Sequence, residues 1–248
     1  HMQTIKCIIK NNPSNFTEDT IVYSYWFNAP VYAFLKLREK YRMKYRVVCR
    51  AHRWDVYDEN GDMPYRKYCI EHVDKIFPIS QDACDFLTKK YGYKEKYILS
   101  RLGVQKRNVT TKASAPFNFQ VLTISQLIQR KRIDLVFNAL TVFASRNQDI
   151  NIQWTHFGTG DMEKDLRMKV SSIDIPNMRT TFMGYVPNIE IIQFMEKSTV
   201  DVFMNLSTSE GVPVSIMEVQ SYGIPVIATN VGGTGEIIDK DNGILLPS

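Results

Sequence analysis

From residue 21 onward, short apolar runs alternate with longer segments whose apolar residues recur at helical spacing. Residues 21–25 predict a strand, and Val31, Phe34 and Leu35 then mark one face of a helix running to about Tyr41. The run RVVCRA at 46–51 predicts a strand, 65–73 a helix and 75–79 a further strand. Ser80 stands where a helix through Tyr91 needs its N-cap, Gly92 closes that helix, and 97–102 predicts another strand.

The texture changes at QKRNVTTKASAPF, residues 105–117, which are polar, rich in small residues and without apolar period, as a linker is. The alternation then restarts. Strands are expected at 119–125, 151–157, 180–184, 200–206 and 224–229. Helices are expected at 131–146, with Ile133, Val136, Phe137, Leu140 and Phe143 on one side, at 161–170, at 188–197 under an Asn188 cap, and from Pro213 to Gly223. Strands alternating with helices this long mean βαβ units and mostly parallel sheets, so the fold class is α/β with two doubly wound domains. Ligands in such folds bind at the carboxyl ends of the strands.

Composition narrows the function. With 44% hydrophobic and 23% charged residues, the 248-residue chain is an ordinary globular one. No apolar run approaches the roughly eighteen residues of a membrane-spanning helix. The start lacks a leader-like apolar stretch, and His1-Met2 reads as a tag-cleavage remnant. Four cysteines without CxxC spacing, Cys49 and Cys84 within apolar segments, fit a reducing cytoplasm. Charge is uneven: residues 1–117 carry 21 Lys and Arg against 12 Asp and Glu, the remainder 10 against 14. The basic half is therefore expected to face something anionic, with a surface kept basic for solubility as the alternative.

The unusual residues collect in loops after strands of the second half. In STSEGVPVSIME, Glu210 precedes Gly211, Pro213 pre-sets a helical φ, and the free N–H groups of the next helix suit a diphosphate. Glu218, further along that helix, suits a ribose diol; an ordinary amphipathic helix is the alternative. In TISQLIQRKR, Lys131 opens a helix against its dipole, which suggests a bound anion nearby unless the charge run is merely solvated. FGTGD, with Gly158, lacks the third glycine of a dinucleotide fingerprint, and close backbone packing explains it equally well. VGGTGEII is a second glycine loop, and His52 and Asp55 end a strand of the first half, His52 reading as structural or as a cleft residue.

Taken together, E-x7-E from Glu210 to Glu218 within SEGVPVSIMEVQSYGIPVIATNVGGTGEII resembles the signature of family 4 retaining glycosyltransferases of GT-B fold. The likeness runs upstream through FMGYVPN, HFGTGDMEKDL and VLTISQLIQRKRIDLVFNAL. RAHRWDVYDE and VDKIFPIS resemble the acceptor-side domain of bacterial enzymes that build surface polysaccharides. The resemblance covers about residues 20–248. It implies two Rossmann-like domains facing a cleft: a partial acceptor-side domain at 1–112 and a donor-binding domain at 113–248, the chain being truncated at both ends.

It also implies roles. Glu218 would take the donor ribose, and Glu210 with the backbone of Gly211, Val212 and Pro213 the sugar and diphosphate. Lys131 would neutralise the leaving group beside Gln126, where the family usually has arginine. Gly158 would belong to the donor site, and the Tyr185-Val186 backbone would lie by the base. His52 would reach the anomeric carbon, making it, with Glu210, the catalytic candidate. The implied chemistry needs no metal and no cofactor, takes a UDP- or GDP-sugar and a glycan or lipid-linked acceptor, and involves no nucleic acid. The expected place is the cytoplasm, with peripheral contact at the anionic inner face of the membrane. A non-catalytic nucleotide-sugar-binding or interaction module is the alternative, and a GT-B epimerase a further one that E-x7-E disfavours.

Overall fold

The computed structural model describes residues 2–57 and 65–248, so the Asp58-Glu59 end of RAHRWDVYDE lies outside the described residues. The chain divides into two compact units, His1–Leu102 and Gly103–Ser248.

The first unit has a parallel three-stranded sheet, β1 (Ile21–Ser24), β2 (Arg46–Ala51) and β3 (Lys75–Pro78), in the order β1-β2-β3. β2 is central, and Val47, Cys49 and Ala51 along one side of it are fully buried. Among the described residues, five α-helices accompany the sheet: α1 (Met2–Asn11), α2 (Ala29–Lys40), α3 (Arg53–Val56), α4 (Arg66–His72) and α5 (Gln81–Tyr91). α1 was not expected from the pattern; its Ile5 and Ile9, one turn apart, are buried in the same core as α2. The α5 cap is as predicted: Ser80 Oγ accepts from Ala83 N at 3.1 Å, and Gly92 has φ +76°.

The strand expected at 97–102 does not form, and Pro78 is the reason. Ile98 N donates to Ile76 O and Ser100 N to Pro78 O, but proline has no N–H to return the bond between them. What remains is one bridge, Ile76–Tyr97.

The second unit holds six strands, β4 (Asn118–Ile124), β5 (Asn151–Phe157), β6 (Met178–Gly184), β7 (Val202–Asn205), β8 (Val226–Thr229) and β9 (Gly243–Leu246). All pair in parallel, in the order β6-β5-β4-β7-β8-β9. The crossovers are α6 (Ile133–Arg146), α7 (Glu163–Ser172), α8 (Asn188–Lys197) and α9 (Val214–Gln220). This is the doubly wound dinucleotide-fold order, in which the winding reverses between the first strand and the fourth, here β4 and β7. β9, a four-residue edge strand, was not anticipated.

Residues 105–112, read from composition as linker on the N-terminal side, pack with this second unit. Thr111 N donates to Tyr222 O at 2.8 Å, and Val200 N donates to Thr111 Oγ1 at 3.0 Å. Further along, Ser114 N and Gln120 N both donate to the Asp201 carboxylate. Satisfied backbone groups tie the segment down despite its polar composition.

Three local expectations change. α6 begins at Ile133, not Lys131, because residues 129–131 form a 3-10 turn and Arg132 has φ +47°. Phe143 is exposed on α6 and leans on Phe119, ring centroids 5.7 Å apart. Asn188 does not cap α8: it is the first helical residue, Pro187 O accepts from Glu190 N, and the Asn188 amide is used elsewhere.

Candidate functional site

The loops leaving β4 and β7 meet where the winding reverses. Ligands of open α/β sheets bind outside the carboxyl ends of the strands at that point. Two side chains come together there. Lys131 Nζ, from the turn after β4, donates to Glu210 Oε1, from the loop after β7, at 2.5 Å. Both are mostly buried, at 16% and 9% side-chain exposure.

Local sequence explains the geometry. The last residue of β7, Asn205, takes Ser207 N and Oγ on its amide oxygen at 3.2 and 2.6 Å, turning the chain sharply. Its Nδ2 reaches Glu210 Oε1 at 3.3 Å. Thr229 Oγ1, at the end of β8, donates to Ser207 O. From the other side, Thr208 N donates to Arg130 O at 2.9 Å and Arg132 Nε to Leu206 O at 2.5 Å, so the two loops are laced together. The partner the structure gives Lys131 is therefore Glu210 of the chain itself, where a bound anion was expected.

Glycines let backbone replace side chain around this pair. Gly232, φ +53°, lies so close that an added Cβ would meet Glu210 O at 1.9 Å, and Gly233 N donates to Gly211 O at 2.7 Å. The VGGTGEII loop therefore supports the backbone of 210–211. Gly158, φ +131°, would put a Cβ 1.8 Å from Ser125 O. Here the close-packing explanation holds: Leu127 N donates to Thr159 O and Ser125 N to Phe157 O, sealing the loops after β4 and β5 together.

The remaining candidates lie around this centre. Gly211, Val212 and Pro213 are buried, and Pro213 is the N-cap of α9, a helix of only two turns. Gln126 is exposed, and its carbonyl accepts from Ser125 Oγ at 3.2 Å. Val186 is half-buried beside the β4–β7 core, whereas Tyr185 is 80% exposed. Glu218 is half-buried, and its Oε1 accepts from Asn188 Nδ2 at 3.1 Å.

In the first unit, His52 follows β2 and starts α3. It is buried, its ring 4.7 Å from that of Tyr25 and 4.4 Å from that of Trp26. Asp55, almost fully buried, accepts from His52 N at 3.2 Å, and its Oδ2 lies 3.6 Å from Nδ1. Neither ring nitrogen has a hydrogen-bond partner among the described residues. Asn205, Ser207, Thr229 and the Tyr25-Trp26 pair were missed by sequence reasoning. The aromatic density of YSYWF was the one available signal for the last.

Residues 118–248, just over half of the chain, match the family described as Glycosyl transferases group 1. Among curated relatives, the O-antigen biosynthesis glycosyltransferase WbnH of Escherichia coli is 25% identical over 229 residues, 88% of this chain and 60% of the relative. The amylovoran biosynthesis glycosyltransferase AmsK of Erwinia amylovora is 24% identical over 160 residues, 62% of this chain and 39% of that one. The chain spans about half the length of the curated relatives it matches. Among solved structures, the lipopolysaccharide outer core galactosyltransferase WaaB superposes over all of this chain and 66% of its own, with a TM-score of 0.77 at 18% identity. The pneumococcal O-GlcNAc transferase GtfA, in complex with UDP and GlcNAc, gives 0.74 at 19%, over 98% of this chain and 48% of its own. These neighbours have the GT-B fold, and the two α/β units with parallel sheets share it.

Proposed function

The chain belongs to the Glycosyl transferases group 1 family, and from that premise we propose that it moves a sugar, with retention, from a nucleoside-diphosphate sugar to a glycan or lipid-linked acceptor in bacterial polysaccharide synthesis. The observation that carries this reading is the Lys131–Glu210 pair at the reversal of the sheet, with Glu218 one helix further on. Relatives named for O-antigen and amylovoran synthesis support the acceptor class.

Each residue then has a task. Glu218, held by Asn188, takes the ribose diol on its carboxylate. Glu210 and the 211–213 backbone position the sugar and diphosphate. An ammonium group has three protons; with one on Glu210, Lys131 has two left for the diphosphate, the charge a divalent cation neutralises elsewhere. Gln126 adds a neutral amide. In the step itself the bond from C1 to the phosphate oxygen breaks, and the acceptor oxygen bonds C1 on the same face. The acceptor proton passes to the departing phosphate. His52 is the catalytic side chain that the acceptor-side unit supplies in this reading, and the basic first unit contacts anionic membrane from the cytoplasm.

A thermal-shift screen with UDP, GDP and their sugars tests the reading, because a ligand of the native state raises the midpoint. Nucleoside diphosphates should raise it, and release of free sugar or transfer to acceptor separates the enzyme from a mere binding module. Failure of every nucleotide to shift the midpoint would sink both. Glu218→Ala should weaken nucleotide binding about 10- to 100-fold, the worth of hydrogen bonds to a charged group, with the fold unchanged by circular dichroism. If the membrane contact is electrostatic, sedimentation with anionic vesicles should fall steeply between low salt and about 0.5 M, and neutral vesicles should bring down little. Salt-insensitive sedimentation with both would exclude that contact.

A further inference from the structure

A cavity of about 260 Å³ lies directly against Glu218, roofed by the first residues of the second unit. Val104, Gln105 and Arg107 line one side, and Asn188 and Ile192 of α8 and Tyr222, in the turn after α9, line the rest. Complete small-molecule sites usually run to roughly 300–1,000 Å³, so this volume suits the nucleoside half of a donor, with its phosphates outside. The lining has the matching chemistry: a carboxylate for a diol, aliphatic side chains of Val104, Ile192 and Val214 for a flat base, and one cation.

That cation is Arg107. Its guanidinium lies 5.8 Å from the Tyr222 ring centroid and makes no hydrogen bond or ion pair among the described residues. An arginine placed against an aromatic face keeps its planar fork oriented with its N–H groups unspent. Gln105 beside it carries an amide that both donates and accepts.

We propose that Arg107 reads the nucleobase of the donor, selecting bases with an exocyclic carbonyl over those with an amine at the same position. The inference rests on the assignment of the ribose to Glu218. Guanidinium offers five donors and no acceptor, so it pairs with the oxygen of uracil or guanine and is repelled by the amino protons of cytosine or adenine. Selection for UDP or GDP over CDP and ADP then comes from a segment whose composition reads as linker, outside the E-x7-E loop.

Calorimetric titration of UDP, CDP, uridine and inorganic pyrophosphate into the parent, Arg107→Ala, Arg107→Lys and Glu218→Ala tests this. The parent should prefer UDP to CDP by about tenfold or more, as sites built around a hydrogen bond do. Arg107→Ala and Arg107→Lys should each lose most of that preference by weakening UDP and uridine, with pyrophosphate unchanged. A loss equal for UDP, CDP and pyrophosphate would make Arg107 a general counter-charge and overturn the inference. So would loss of UDP binding in Glu218→Ala with none in Arg107→Ala, which leaves the ribose assignment standing. If the parent binds no nucleoside diphosphate, the reading beneath the inference falls and takes it along.

Discussion

Replacing Lys131 by methionine is expected to destabilise the second unit by about 3–5 kcal/mol, because it leaves the Glu210 carboxylate buried without its cation. The Asn205 amide, at 3.3 Å, is the other side-chain donor to that oxygen, and a neutral amide cannot replace an ammonium. Removing both charges in Lys131→Met/Glu210→Leu should recover much of the loss, since apolar residues of similar size often substitute for a buried pair at little cost. The recovery stays incomplete because Asn205 Nδ2 then loses its acceptor. Urea denaturation of the three proteins measures this. A double variant as unstable as Lys131→Met would show that the damage lies in packing, not in a stranded charge. Partial recovery of stability, with no recovery of nucleotide binding, is the expected pattern for a pair kept for its ligand.

That pair also shows how far the sequence could be read. A cation expected at the start of a helix suggested a bound anion, but the helix begins two residues later and the cation's partner in the structure is the chain's own Glu210. Which anion answered depended on the loop after β7 folding back over the loop after β4, 79 positions away in sequence. Pairing order is a long-range property: apolar period marks 46–51 and 151–157 as strands to the residue, yet it cannot say that β4 stands next to β7. The site sits where it does because of that adjacency.

Misreadings followed from short-range signals outcompeted by tertiary ones. Asn188 has the ideal side chain for a cap, but α8 starts with it, so Pro187 holds the cap position and the Asn188 Nδ2 donates to the Glu218 carboxylate. The segment 105–112 has a linker's composition and is nevertheless tied to the second unit by Thr111. α1 carries a clear amphipathic period, with Ile5 and Ile9 on one side, that was overlooked, whereas the four residues of β9 carry too little alternation to stand out.

His156 left no trace in the motif, although HFGTGD was noted for its glycines, and it should dominate the acid behaviour of the second unit. It is fully buried on β5, with Nδ1 2.8 Å from Thr123 Oγ1. Trp154 Nε1, which can only donate, gives its hydrogen to the same Thr123 oxygen at 2.9 Å. Thr123 Oγ1, with a second lone pair and a proton of its own, can serve His156 Nδ1 in either neutral tautomer. Burial, reinforced by the Arg167 charge, holds the imidazole down at about 4 from an ordinary 6.5. The unfolded chain thus takes up a proton below about pH 6.5 that the folded unit refuses until about pH 4. Stability is complete above the upper value and drains away between the two, by about 3 kcal/mol in total. His156→Gln keeps an acceptor for Thr123 and cannot charge, so it should lose less stability than the parent between pH 7.5 and 4 by about that amount. Acid-sensitive groups common to both proteins cancel in the difference. Parallel stability curves for parent and variant across that window would mean that His156 titrates normally, and that its burial is relieved whenever it charges.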